Sequence, residues 1–100
     1  MKTEIKEQGN QLIAYLSGRL DTAAAVPATE ALKPLMEADN KEIILDCTEL
    51  EYISSSGLRI FLSIRKEAAA RGSKVIVRNI SADIHQVFVM TGFISLFEIQ

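Results

Sequence analysis

Two short, unbroken apolar segments on either side of a helical segment constrain the fold of this chain more than any other feature. Residues 43–45 and 75–77 are Ile-Ile-Leu and Val-Ile-Val, runs that suit a strand and are too short for a helix. Continuous apolar strands are typical of a sheet covered by helices, where both faces of each strand are buried. Because strand–helix–strand units cross over with a fixed right-handed geometry, the pattern predicts parallel pairing of these inner strands.

The segment between the two strands has the clearest amphipathic pattern in the chain. Its polar face is predicted to carry Arg59, Ser63, Lys66 and Glu67. Its apolar face is predicted to carry Leu58, Phe61, Leu62, Ala68 and Ala69. A basic last turn and a glycine stop at residues 71–72 predict where this helix ends.

A β-hairpin is predicted in front of this unit. A turn at residues 9–10 separates a weakly alternating segment from residues 11–17, which place apolar side chains on two faces in turn. Residues 18–22 are then expected to form a loop, in which Asp21 or Thr22 can cap the next helix.

Two further helices and a last strand complete the predicted elements. In the Ala-rich stretch after the loop, Pro27 suits a first helical turn and Pro34 should kink or shorten the helix. Ser81 and Gly92 mark the start and the end of the last helix. A short final strand is expected over residues 94–99.

The predicted order is therefore β-β-α-β-α-β-α with a further strand at the end. One hundred residues are enough for one hydrophobic core and too few for two domains. The sequence thus predicts a single α/β domain over residues 1–100, with a mixed sheet of four or five strands and helices packed on it.

Composition limits the kinds of partner and compartment. A net charge of −2 gives no general reason to bind nucleic acid or anionic lipid, and no apolar run approaches the roughly 20 residues of a membrane span. The first residues lack the order of a signal peptide, and Cys47 is the only cysteine, so an internal disulfide cannot form. We therefore expect a cytoplasmic protein with no direct contact to nucleic acid or membrane.

A cluster of three serines is the most informative local feature. Ser54, Ser55, Ser56 and Gly57 are expected at the end of a short loop, where a buried strand leads into the amphipathic helix. Helix N-termini carry free N–H groups and partial positive charge, so a phosphate on Ser56 would be stabilised there. Gly57 would leave room for another backbone to approach. A simpler interpretation is helix capping, although a cap needs only one of the three hydroxyls.

Three segments resemble the STAS-domain anti-sigma factor antagonists. The first is an apolar strand ending in Asp46, followed by Ser55-Ser56-Gly57-Leu58 at a helix start, similar to the family's Asp-Ser-Ser-Gly-Leu. Residues 18–21 resemble the family's Gly-x-Leu-Asp, and residues 92–97 resemble its closing Gly-(Leu/Phe)-x-x-(Leu/Ile)-Phe. The three segments occur in the family's order and spacing, and together they span almost the whole chain.

The resemblance implies a partner-switching cycle. An unphosphorylated antagonist of that family binds a serine-kinase anti-sigma factor and so frees the sigma factor. The kinase then phosphorylates one serine of the antagonist, which expels it, and a separate serine phosphatase resets the cycle. By motif position the phosphorylated residue would be Ser56. The implied contact surface consists of Asp21, Ser54, Ser55, Ser56, Gly57 and Arg59.

One residue departs from the family pattern. Ser54 stands where phosphorylated members usually carry Asp, which removes a carboxylate beside Ser56 and makes Ser54 and Ser55 rival phosphate acceptors. Some STAS domains act by binding alone. The alternative hypothesis is therefore a constitutive binding module without phosphorylation, such as a small subunit of a larger assembly, for example a lipid-transport complex.

Catalysis and cofactor binding have weak support in the sequence. A serine hydrolase is the third hypothesis, but the serines lack a Gly-x-Ser-x-Gly turn and His85 is expected to be a partly exposed helix residue. One cysteine and one histidine cannot make a structural zinc site, and no phosphate-binding glycine loop is present. We therefore predict no enzyme activity, no cofactor and no metal.

The placement of some other side chains is also predicted. Asp46 is expected in a solvated loop or bonded to the serine segment, and the methionine and phenylalanine side chains are expected in the core.

Overall fold

A computed structural model describes residues 1–100 as five strands, four α-helices and one short 3-10 turn. The strands are β1 (Lys2–Gln8), β2 (Gln11–Leu20), β3 (Glu42–Ile53), β4 (Lys74–Arg78) and β5 (Glu98–Ile99). The helices are α1 (Thr22–Ala31), α2 (Lys33–Met36), α3 (Ser55–Ala70) and α4 (Ala82–Thr91), and the 3-10 turn is Phe93–Ser95. The strands form one sheet in the order β1-β2-β3-β4-β5, with β1 antiparallel to β2 and all other pairs parallel. The predicted α/β fold with a mixed sheet is confirmed.

The two strands that lead to the functional region are longer than predicted. β2 continues through Gly18 and Arg19 to Leu20, where a loop was expected. Gly18 has a φ of +93°, and the register with β3 shifts on either side of it. β3 likewise continues to Ile53, so no loop separates it from the serine cluster. The alternating pattern is interrupted in both strands, which is why sequence periodicity placed their ends too early.

Helix α1 also begins earlier than the proline positions indicated. The Asp21 carboxylate accepts a hydrogen bond from the Ala24 N–H at 2.9 Å, which fixes the start of α1 at Thr22 and places Pro27 inside the helix. The expectation of a first-turn proline was therefore wrong for Pro27. Pro34 does shorten the helix as expected, because α1 ends at Ala31 and Pro34 lies in the first turn of α2.

The helices cover one face of the sheet only. Their buried side chains pack with Ala14, Leu16, Ile43, Leu45 and Val77 in one main core cluster. On the other face, Ile13, Ile44 and Ile76 form a separate small cluster with Tyr15 beside it. These three isoleucines are at most 3% exposed although no helix covers them. Both faces of the inner strands are buried as predicted, but on the second face the isoleucines bury one another across adjacent strands.

Three smaller expectations differ in part from the structure. Leu62 and Ala69 are exposed on α3, whereas Ile60 and Ile64 belong to its buried face. The final strand is confined to Glu98–Ile99, because Gly92, with a φ of +79°, ends α4 and leads into the 3-10 turn. The four phenylalanines lie in or against the core, but Met1 and Met90 are exposed.

Candidate functional site

The carboxyl ends of β2 and β3 bring the predicted site residues together. Leu20 lies opposite Ile53 at the last register position, and the Leu20 carbonyl accepts a hydrogen bond from the Ser54 N–H at 2.9 Å. Helix α1 starts directly after β2 and α3 directly after β3. Asp21 and Ser54 are therefore the N-caps of two neighbouring helices at the end of the sheet where β2 and β3 finish.

Ser54 is occupied by its capping role. Its side-chain oxygen accepts a hydrogen bond from the Gly57 N–H at 3.2 Å, and its carbonyl accepts one from the Leu58 N–H at 2.9 Å. Ser54 is 8% exposed. This residue supplies the cap that an aspartate would supply at the same position, but it does so without a negative charge.

Ser55 and Ser56 are the two hydroxyls that remain free in the first turn of α3. Ser55 is exposed and Ser56 is half-buried, and neither side chain is hydrogen-bonded. Their N–H groups belong to the set that a helix leaves unpaired at its start. The first turn contains no acidic residue. A phosphoryl group on either serine would therefore meet unpaired N–H groups and the positive end of the helix dipole.

Gly57 serves internal packing rather than the approach of another chain. It is buried, and a Cβ added there would lie 2.7 Å from Leu20 Cγ and 2.8 Å from Ile53 Cγ1. The space left by the absent side chain is therefore filled by two side chains of the same domain. The expectation that this space admits a partner backbone was wrong, and the glycine is explained by the close contact between the start of α3 and the ends of β2 and β3.

Arg59 and Asp21 lie on either side of the free serines, and they differ in how far the rest of the chain engages their charges. Arg59 is exposed and forms no ion pair, and it lies three residues beyond Ser56, a spacing that places two side chains on the same helix face. Asp21 is half-buried, with one carboxylate oxygen used in the cap of α1. The candidate surface thus carries one free cation and one partly engaged anion.

A stacked pair beside this surface was missed in the sequence. The guanidinium of Arg19 lies over the ring of Tyr52, 4.4 Å from its centroid, and the two residues are opposite each other in the β2–β3 register. Tyr52 is 40% exposed, and Arg19 is exposed and forms no ion pair. The only signal in the sequence was proximity to the motifs at residues 18–21 and 54–57. Because both residues were assigned to loops, no register connected them.

Asp46 has no contact with the serine segment. It lies within β3, is 5% exposed, and accepts hydrogen bonds from Arg78 Nε at 2.8 Å and from the Thr48 hydroxyl at 2.7 Å. Burial alone would raise the pKa of Asp46, but the hydrogen bonds from Thr48 and the pairing with Arg78 outweigh it and hold the pKa below its usual value. The expectations of a solvated loop or of a bond to the serine segment were wrong, because β3 does not end at this residue.

The remaining reactive side chains are not assembled around the serines. His85 is exposed on α4, as expected. Cys47 lies in the core, where burial raises the pKa of its thiol to about 12. No group of three or more His, Cys, Asp and Glu side chains is placed to hold a metal ion. The one surface pocket, of about 260 Å³, lies between β1 and α1, and its lining contains none of the three serines.

None of the helices combines the length and the hydropathy needed to cross a membrane. The longest, α3, has 16 residues, and its exposed face carries Arg59, Lys66 and Glu67. This face is the polar one that the amphipathic pattern predicts.

Comparison with known protein sequences gives consistent matches over nearly the whole chain. The family model described as "STAS domain" matches residues 2–100. The chain is 28% identical to the putative anti-sigma factor antagonist BtrV of Bordetella bronchiseptica, over 99% of this chain and 85% of that protein. It is 29% identical to the anti-sigma-B factor antagonist of Listeria monocytogenes, over 97% of this chain and 86% of that protein.

Solved structures show the same fold at lower sequence identity. The unphosphorylated form of the anti-sigma factor antagonist SpoIIAA superposes with a TM-score of 0.74 at 20% identity, over 99% of this chain and 87% of that one. A putative anti-sigma factor antagonist of Thermotoga maritima superposes with a TM-score of 0.87 at 19% identity, over 97% of this chain and 84% of that one. The family match and the named relatives agree with the motifs at the ends of β2 and β3, and the chain belongs to the STAS domain family.

Proposed function

We propose that this protein binds a serine-kinase anti-sigma factor while Ser56 is unmodified, and that phosphorylation of Ser56 releases it. The protein regulates transcription indirectly through this partner and does not itself contact DNA. A separate serine phosphatase returns it to the binding form. It acts as a regulatory binding protein and not as an enzyme.

The position of Ser56 in the first turn of α3 is the observation that carries the proposal. Its hydroxyl is free and half-buried, whereas the Ser54 oxygen is engaged in the cap and nearly inaccessible. This difference argues against Ser54 as a rival acceptor, whereas Ser55 remains a rival. Ser55 is the more exposed of the two, and the proposal favours Ser56 because it directly precedes Gly57, as the phosphorylated serine does in the family motif.

The expected effect of phosphorylation is electrostatic. A phosphate adds about −1.5 to −2 charges at neutral pH. If a partner carboxylate lies about 4 Å away, each pair of unit charges costs about 4 kcal/mol at an effective dielectric constant near 20. A difference of about 1.4 kcal/mol changes affinity tenfold, so one such contact would lower affinity by two orders of magnitude or more. Repulsion at the surface is sufficient, and no change of fold is required.

The exposed arginines offer a reason for partner preference. Arg19 and Arg59 lie on either side of the free serines in the sequence, and neither is neutralised by an acid of this chain. A partner surface with carboxylates would therefore be attracted to the unmodified site. A phosphate on Ser56 would repel those carboxylates and compete for the same arginines.

A second candidate function is favoured by Ser54. Without the aspartate of the family motif, no carboxylate of this chain lies in the first turn of α3 beside Ser56. A constitutive binding module, which needs the surface but not its modification, is compatible with this difference. Ser54→Asp keeps the cap and restores the charge, so a large rise in phosphorylation of this variant over the natural chain would favour binding without phosphorylation as the normal mode.

The deciding experiment is phosphosite mapping on the protein isolated from its native cells, with and without stress. Intact-mass and peptide spectrometry would be run on the natural chain and on the matched variants Ser55→Ala and Ser56→Ala. We expect one phosphate whose occupancy varies with conditions, lost in Ser56→Ala and kept in Ser55→Ala. Loss in Ser55→Ala alone would move the acceptor to Ser55. No phosphate under any condition, with a protein partner still co-purifying, would contradict the proposal in favour of the second candidate.

A further inference from the structure

The two edges of the sheet differ in length and in what they offer a partner. At one edge β5 has only two residues, whereas at the other edge β1 has seven and pairs with β2 alone. The backbone groups of β1 that point away from β2 have no partner in the chain. Such an edge pairs readily with another strand unless side chains prevent it.

The hairpin geometry identifies which residues of β1 present these groups. A two-residue turn joins Gln8 to Gln11, and the residues that flank such a turn form a hydrogen-bonded pair. Because hydrogen-bonded pairs alternate along an antiparallel ladder, Lys6, Glu4 and Lys2 also direct their backbone groups to β2. The free edge is therefore formed by the N–H and C=O groups of the intervening residues. These residues are Thr3, Ile5 and Glu7.

We propose that this edge binds a second copy of the same chain, with β1 antiparallel to β1 of the partner about a two-fold axis at Ile5. In this register Ile5 lies opposite Ile5 of the partner subunit, and Thr3 lies opposite Glu7 of the partner subunit. Each of these opposed pairs exchanges two backbone hydrogen bonds. The contact is self-complementary, as a two-fold interface requires, and it joins the two sheets into one.

Charge complementarity favours this register over those slipped by two residues. Lys2, Glu4, Lys6 and Gln8 project from the face of β1 that carries Ile13 and Tyr15, and all four are exposed. In the proposed register Glu4 lies opposite Lys6 of the partner subunit, and the symmetry repeats this pair. A shift of two residues in one direction places Glu4 opposite Glu4 of the partner subunit. A shift in the other direction places Lys6 opposite Lys6 of the partner subunit. Like charges directly opposite each other destabilise strand pairing, so both shifts are disfavoured.

The charges on this edge therefore do more than keep it soluble. Charged side chains on edge strands commonly prevent indiscriminate pairing. Here the alternation of Lys and Glu opposes both registers that are slipped by two residues. A shift of four residues, to a two-fold axis at Thr3, would also pair Glu4 with a lysine, but only the register centred on Ile5 brings the two copies of Ile5 together. On the helix side of the sheet, Ile5 is half-buried against the core, and contact with Ile5 of the partner subunit would complete its burial. The charged side chains favour this register of strand pairing over those slipped by two residues, and the contact between the isoleucines buries apolar surface.

The proposed interface is separate from the serine site. Ile5 lies opposite Ala14 in the middle of β2, whereas the site begins after Leu20 at the end of that strand. A dimer built on β1 would thus leave both copies of the serine site accessible. The proposal does not depend on phosphorylation or on the anti-sigma partner.

The test measures the molar mass of the whole chain in solution by light scattering and sedimentation from micromolar to millimolar concentration. We expect a concentration-dependent dimer at moderate ionic strength. Glu4→Lys and Lys6→Glu should each weaken dimerisation about tenfold, because each creates two like-charge contacts. An equimolar mixture of the two variants should restore the dimer, since in the mixed pair every opposed charge is again complementary. Lys2→Glu is the matched control, because Lys2 lies opposite the uncharged Gln8 of the partner subunit.

Each other outcome overturns the proposal. A natural chain that stays monomeric at millimolar concentration does not dimerise through β1. A dimer that is equally stable in both single-charge variants uses a different surface. A mixture that fails to recover, although each variant keeps the circular dichroism and melting temperature of the natural chain, excludes the proposed register.

Discussion

Helices α3 and α4 begin with the same kind of cap but carry different side chains in the first turn. Each has a serine N-cap in an extended conformation, Ser54 for α3 and Ser81 for α4. In both, the serine oxygen accepts a hydrogen bond at 3.2 Å from the N–H of the third helical residue. The second helical residue is Ser56 in α3 and Asp83 in α4. Capping geometry alone therefore does not distinguish the proposed switch from an ordinary helix start.

The difference at the second position indicates what phosphorylation would change. Asp83 already places a negative charge at the positive end of α4, where it is stabilising. The first turn of α3 has no acid, so its N-terminus keeps a hydroxyl where α4 has a carboxylate. Phosphorylation of Ser56 would give α3 the electrostatic arrangement that α4 has permanently. The modification should thus suit the fold and disturb only what binds to the surface.

The largest expected effect is on partner binding. Ser56→Asp should lower affinity for the anti-sigma partner by about two orders of magnitude, because an added charge at the interface opposes partner carboxylates. Isothermal titration calorimetry on the co-purified partner would measure the change. The matched control is Ser63→Asp, which adds the same charge to an exposed position of α3 beyond its first turn. Equal affinity for Ser56→Asp and the natural chain would mean that a negative charge at this position, which α4 carries as Asp83, does not control partner binding.

The next effect concerns the third helical residue, which is Gly57 in α3 and Ile84 in α4. Gly57→Ala should destabilise the domain by about 1–2 kcal/mol, since overpacking costs about 1–3 kcal/mol and the better helix propensity of alanine returns at most about 1 kcal/mol. The added Cβ would meet Leu20 and Ile53. Urea unfolding of this variant and of the control Ser55→Ala would measure the difference. A more stable Gly57→Ala would show that the contact relaxes without cost.

The sequence predicted the fold more completely than the site because apolar periodicity is a property of whole segments. The continuous runs around Ile44 and Ile76 predicted the parallel strands, and the capping residues Ser81 and Gly92 gave the bounds of α4 closely. The ends of β2 and β3 could not be predicted in this way. Their register shifts near Gly18, so the alternation on which strand assignment depends is lost where the strands approach the site.

The site could be predicted only where a local motif carried it. A serine cap for α3, and a cap for α1 from Asp21 or Thr22, follow from residue type and position, and the hydrogen bonds assign these caps to Ser54 and Asp21. The stacking of Arg19 on Tyr52 depends on pairing between strands that are distant in the sequence, so no local pattern contains it. The role of Gly57 also required the structure, because the side chains that fill its space come from two different strands.

The next, smaller effect is the loss of stability when a serine cap is removed, which should differ between Ser54 and Ser81 because they differ in burial. Ser54→Ala should cost about 1–2 kcal/mol, whereas Ser81→Ala should cost about 0.5–1 kcal/mol. Ser54 and Gly57 are both buried, so water cannot easily replace the lost hydrogen bond, whereas Ser81 is exposed. Urea unfolding of both alanine variants would measure the two costs, and the threonine variants, which retain a capping hydroxyl, are the controls. Equal costs for the two alanine variants would mean that burial of the cap contributes nothing.

The smallest expected effect tests whether a charge at the second helical position suits the fold of α3 as it suits α4. Ser56→Asp should raise the free energy of unfolding by about 0.3–1 kcal/mol, and Asp83→Asn should lower it by a similar amount, because each changes one charge near a helix N-terminus. Both differences should shrink in high salt, which screens charge interactions. Chemical unfolding at low and high ionic strength would measure them, with Ser56→Asn as the uncharged control. A destabilised Ser56→Asp whose deficit persists in high salt would mean that the half-buried position rejects the carboxylate for steric reasons, and that α4 is a poor reference for a modified α3.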